Sequence, residues 1–291
     1  MEESGHYYTV YFTSLAVGFS NGIALRQATL AQMPDQVKGL DATHLHLQNC
    51  LKVFKGNQSA KANEWRFLVE YVLHSLPDIK TGNISSSDQS AVTRNLLLHS
   101  RPYSLEFGLL LHRLGDTYAH RRIHSEGNMY GTSKDAVESC SKIDYMGHFI
   151  DWHEPDYPFA RANLFCTYLE ELYGVLHRKC SEKSSLLYRR NIEQGKILSK
   201  SELISIFRSM LDDVAGYGKS FRDVSQFFFI QRIREQCQRI FGITMSSYAP
   251  EEERTMTFDE FIKNHTGLGI DKYQIKAAIH RIAVGLEKKF P

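Results

Sequence analysis

Leucines surround a polar stripe in the run Leu109–His124, LLLHRLGDTYAHRRIH. There His112, Asp116 and His120 recur four residues apart, which places them along one face of a helix starting near Ser104. Apolar residues at helical spacing also mark Ala160–Lys179, Ser199–Val214, Asp223–Phe241 and Lys272–Lys289. His6–Val17 is apolar on nearly every side and reads as a buried helix ending at Gly18. Ser20 is placed to cap a helix over Asn21–Met33, and Pro34 is expected to stop it, leaving Asp35 just past its end. Glu64–Leu76 is helical and aromatic-rich, closed by Pro77, with His74 reading as a core or C-terminal histidine. Thr81–Gln89 reads as a polar loop and Ser90–His99 as the helix after it, broken at Arg101-Pro102. Thr257 opens a short helix with an acidic first turn that lacks calcium-loop spacing. Phe227–Ile230 reads as core, and Ser125–Ser141 as the longest loop and a candidate rim of a site. The expected fold class is all-α.

The stripe carries the first chemistry. Over eight residues a helix rises about 12 Å and drifts about 80° around its axis. His112 and His120 are therefore too far apart for one ion, whereas Asp116, midway, is placed to bridge two ions about 3.5–4 Å apart. Imidazole and carboxylate are a usual donor set for zinc. The competing reading is a buried polar seam, in which three polar groups on an apolar helix must satisfy one another. A second dense stretch, Gly147–Pro158, holds His148, Asp151, His153, Glu154 and Asp156 and reads as either a second ligand cluster or a solvated acidic turn. Asp35 is equally a ligand or a turn residue, and His44 and His46 face one way together only on a strand.

Composition narrows the class. The chain has 291 residues, 42% hydrophobic and 23% charged, as expected of an ordinary globular protein. A net charge of +2 argues against a duplex nucleic acid partner. Five cysteines without CxxC spacing suit a reducing compartment. The N-terminal MEESGHYYTV shows no signal peptide and no run is long enough to span a membrane, so a cytoplasmic product is expected. No phosphate loop, GxSxG elbow or internal repeat is present.

Several short motifs together resemble the zinc-dependent phospholipase C and single-strand nuclease superfamily and, more closely, an uncharacterised bacterial family related to it. They are Gly5-His6-Tyr7, Gln32-Met33-Pro34-Asp35, Arg101-Pro102-Tyr103, the LHRLGDTYAHRR stretch, and Gly147-His148 followed by Pro155-Asp156. The resemblance covers residues 5–165. It implies a multi-helix domain centred on two or three zinc ions. His6, Asp35, His112, Asp116, His120 and His148 would be ligands, with Asp151 or Asp156 completing the set. Secreted members use a freed N-terminal Trp as a ligand, a place His6 would take here. Residues 166–291 carry no such match and are expected to pack as further helices on the same domain.

The expected activity is metal-dependent hydrolysis of a phosphodiester, one ion activating water and the other stabilising phosphoryl charge. Asp116 would bridge, Asp35 or Asp151 would orient the nucleophile, and Arg121, Arg122 and His153 would meet the substrate. Near-neutral charge and 12% aromatic content favour phospholipid over single-stranded nucleic acid. Two other readings compete: a non-catalytic helical interaction module with structural metal, and a leaderless exported toxin or effector with an export or immunity partner.

Overall fold

The computed structural model describes residues 3–42, 45, 64–65, 67–75, 86–120, 156–182, 197–215, 222–245 and 256–288. These are helical, and their one β feature is an isolated bridge between Val37 and Met256. A π-helix over Ser4–Tyr8 runs directly into α1 (Thr9–Ala16), and Gly18, at a φ of 100°, turns the chain into α2 (Asn21–Gln36). A second π-helix spans Leu68–Leu73. Then come α3 (Ser86–His99), α4 (Leu105–Ala119), α5 (Ala162–Glu182), α6 (Lys200–Ala215), α7 (Arg222–Phe241), α8 (Phe258–Asn264) and α9 (Lys272–Glu287).

Among the described residues, α4 lies at the centre of α2, α3, α5 and α9. Ser104 caps it, its hydroxyl accepting from Phe107 N at 3.2 Å. Its leucines 109, 110, 111 and 114 are buried, and so is its polar stripe. Burial on all sides is possible because α2, α3, α5 and α9 each pack against it. The approach of α2 is close: a Cβ on Gly108 would lie 2.2 Å from Leu30 Cβ, so only glycine fits there. Capping boxes at Thr257/Glu260 and Asp271/Gln274 start α8 and α9.

Several boundaries depart from the sequence expectation. Pro34 does not stop α2, which continues to Gln36. Proline removes one backbone donor, but its fixed φ is helical, so a last turn persists after it. Asp35 consequently sits on the helix, not beyond it. The helix α3 begins at Ser86, inside the expected loop, and α4 ends at Ala119, short of His124. The expected division at residue 165 falls within α5, whose Phe165, Cys166, Tyr168 and Leu169 join the same core as α4. Of the run read as core, Phe229 is buried, but Phe227 and Phe228 are exposed. No helix among the described residues is long and apolar enough to cross a membrane.

Candidate metal centre

Five side chains from four separate segments meet at the centre of the bundle: His6, Asp35, His74, His112 and Asp116. The helix α4 contributes His112 and Asp116 one turn apart on a common face, as the spacing predicts. Asp35 comes from the last turn of α2. His6 lies in the first π-helix, and His74 follows the second, its amide bonding Val69 O at 3.2 Å. The next residue, Ser75, has a φ of 56°, the left-handed region that a serine rarely adopts. Both histidines thus depend on locally irregular helix, a feature common at functional sites.

Each carboxylate presents its two oxygens to different imidazoles. Asp116 Oδ1 is 3.0 Å from His6 Nε2, while Oδ2 is 3.0 Å from His74 Nδ1 and 3.2 Å from His112 Nε2. Asp35 repeats the division at longer range, with Oδ2 3.8 Å from His6 Nε2 and Oδ1 3.9 Å and 3.6 Å from His74 and His112. The ring of His6 stacks near that of His112 at 4.0 Å between centroids.

The tautomers follow from the outer contacts. His112 donates from Nδ1 to the Ala31 carbonyl at 2.8 Å, so its Nε2 turns a lone pair into the cluster. His74 donates from Nε2 to the Leu40 carbonyl at 2.9 Å, leaving Nδ1 facing inward. An imidazole anchored through its distal N–H to a backbone carbonyl is the usual arrangement of a metal-ligating histidine. The separations agree as well. Two donors each about 2.0–2.2 Å from one ion lie roughly 2.8–3.6 Å apart, close to the 3.0–3.9 Å between the donor atoms here.

Electrostatics favour the same conclusion. Burial drives the His6 pKa well down and that of His112 to about 4, with each ring also repelled by a neighbouring imidazole. Both are therefore neutral imidazoles at pH 7. Burial and the adjacent Asp116 push the Asp35 carboxyl well above its usual range. Burial works against ionising Asp116 too, but the positive charge around it, to which His112 and His120 contribute, outweighs burial and holds that carboxyl well below its usual range. For His74 burial is likewise outweighed, here by the hydrogen bond to Asp116 and the two carboxylates, and its pKa is raised. Two carboxylates in an apolar core need positive charge beside them. A protonated His74 supplies one; a divalent cation supplies two.

Of the residues singled out from sequence, His6, Asp35, His112 and Asp116 converge. His120 is buried at the C-cap of α4, where the backbone leaves the helix at ψ 25°, and falls outside the two ligand groups. Asp156, half-buried ahead of α5, also falls outside them. His44, His46, Arg121, Arg122, His148, Asp151 and His153 lie outside the described residues. His74 is the member of the cluster that sequence reasoning did not select, reading it as a core or C-terminal histidine. Arg113, fully buried beside His112, helps to hold it in place. Its guanidinium donates to the carbonyls of Tyr71 and Val72, to Thr93 and to Gln89, and so ties the π-helix ahead of His74 to α3 and α4.

The chain belongs to the DUF6765 family, a family of unknown function whose model matches residues 1–285. No curated protein and no solved structure matches it.

Proposed function

We propose that the cluster is a two-ion metal centre and that the protein is a metal-dependent hydrolase of phosphodiesters. The observation that carries this reading is the shared division of the two carboxylates. Asp35 and Asp116 each turn one oxygen toward His6 and the other toward His74 and His112. Two adjacent cations would be held by this pattern, His6, Asp35 and Asp116 offering donors to one position and His74, His112, Asp35 and Asp116 to the other. Zinc is the expected metal for such an imidazole and carboxylate set. Ions in this arrangement supply activation of water and neutralisation of charge at a phosphoryl oxygen. The residues' part is to fix the two positions, to keep His6 and His112 unprotonated, and to hold surrounding water out. Asp35, 29% exposed where the other four are buried, marks the side from which a substrate would enter. Phospholipid is preferred over single-stranded nucleic acid because the net charge is only +2.

The depth of the other four donors favours one competing reading, a closed structural ion in a non-catalytic helical module. Chelation separates the two. Hydrolysis of a chromogenic phosphodiester, and of phosphatidylcholine vesicles over a single-stranded oligonucleotide, should vanish on treatment with a chelator and return with zinc while helical circular dichroism persists. If the zinc-loaded protein hydrolyses none of these probes, and chelation only unfolds it, the structural reading replaces the enzymatic one.

A further inference from the structure

Two of the clustered histidines give their distal N–H to a backbone carbonyl, but the third is placed differently. The Nδ1 of His6 lies against Gly115 of α4, 3.0 Å from where a Cβ on that glycine would stand, with Cε1 at 2.8 Å. The Tyr168 hydroxyl of α5 lies 3.6 Å from the same point. Glycine at 115 thus lets the distal edge of His6 and the phenol approach the same point of α4. Tyr168 is fully buried, and its hydroxyl has no hydrogen-bond partner among the described residues. A phenol oxygen accepts as well as donates. Buried polar groups in native proteins are nearly always paired, so an orphaned hydroxyl at this place points to a ligand or an ordered contact.

We propose that Tyr168 is a positioning residue of the centre: its phenol oxygen accepts the Nδ1–H of His6 through one ordered water between them, and so holds the His6 Nε2 lone pair on the metal. This rests on the reading of the cluster as a metal centre. It gives His6 the outer acceptor that Ala31 gives His112 and Leu40 gives His74. It also gives the C-terminal half of the chain a direct part in the site.

Tyr168→Phe keeps the ring that packs against Phe165 and Tyr118 and removes only the hydroxyl. Loss of an outer partner of a ligating histidine typically weakens metal binding about 10–100-fold. The test is a zinc titration of wild type and Y168F, with thermal melts of both in chelator. Y168F should bind zinc about 10–100-fold more weakly, while its melting temperature in chelator is unchanged or higher, because a buried hydroxyl lacking a partner has been removed. A role in packing alone would lower that temperature and leave zinc affinity intact, and that outcome overturns the proposal. In zinc-loaded wild type, nitrogen NMR of the imidazoles should show His6 protonated at Nδ1; protonation at Nε2 overturns it without any variant. Wild type that takes up zinc while Y168F binds it equally well overturns the role of Tyr168 alone. Wild type that takes up no zinc overturns the metal centre and this inference with it.

Discussion

A metal ion bound at His74 and Asp35 would compete there with protons. Both carry pKa values raised above the ordinary, His74 because two carboxylates face it despite its burial, Asp35 because burial and Asp116 oppose its charge. His6 and His112 are held low, His112 at about 4, and have no proton to lose near neutrality. Zinc affinity should therefore rise with pH through neutrality, and uptake should release protons from His74 and Asp35. The raised His74 pKa stabilises the zinc-free fold below about 6.5, a contribution lost as pH rises through the raised value. Calorimetric titration with zinc in buffers of different ionisation enthalpy measures the protons released. An affinity flat across neutral pH, with no proton release, would contradict this assignment of charge. At this scale two of the five clustered residues were legible from spacing alone. His112 and Asp116 declare themselves through i,i+4 spacing on a leucine-rich helix. Asp35 stood evenly between ligand and turn residue from its position alone, and His6 was singled out as a ligand only through the resemblance. His74 carries no local signal, because a single histidine at a helix end looks like any core or capping histidine. What aims it inward is a π-turn, the left-handed Ser75 and the reach of Arg113 from another helix.

The elements that matter most are set by two glycines seven residues apart on α4. Gly108 admits α2, and Gly115 admits the His6 ring. Alanine at either place adds helix propensity of up to about 1 kcal/mol but meets occupied space. Gly108→Ala collides with Leu30 near its backbone and should cost about 1–3 kcal/mol net, read from the urea midpoint in chelator. Gly115→Ala meets a side chain and should instead displace His6, weakening zinc binding at least about tenfold with a smaller change in that midpoint. A Gly108→Ala protein as stable as wild type would contradict the packing described. Helical period found most of these elements, because amphipathic spacing survives tertiary context. Their ends were less legible. Pro34 is absorbed in a final turn, and α4 stops at Ala119, so extending the stripe to His120 overran the helix. Neither π-helix leaves a periodic signature in the sequence, yet both lie beside a ligand.

At the scale of the molecule, the bundle surrounds its most polar point. The same apolar core holds residues of α1, α2, α4, α5 and α9, so the chain beyond residue 165 is part of the housing of the site. The all-α class was legible; which later helices close around the site was not, because long-range packing has no local pattern. The central claim is that two ions share the carboxylates of Asp35 and Asp116. Its most direct test is the metal content per chain, by elemental analysis and native mass spectrometry, of the zinc-saturated wild type and of Asp116→Asn. Asn keeps the shape of Asp but lacks the charge and second anionic oxygen that bridging needs. The account predicts two ions in the wild type and loss of both in the variant, with helical circular dichroism retained. A wild type that binds none, or a variant that keeps its full complement, would contradict it.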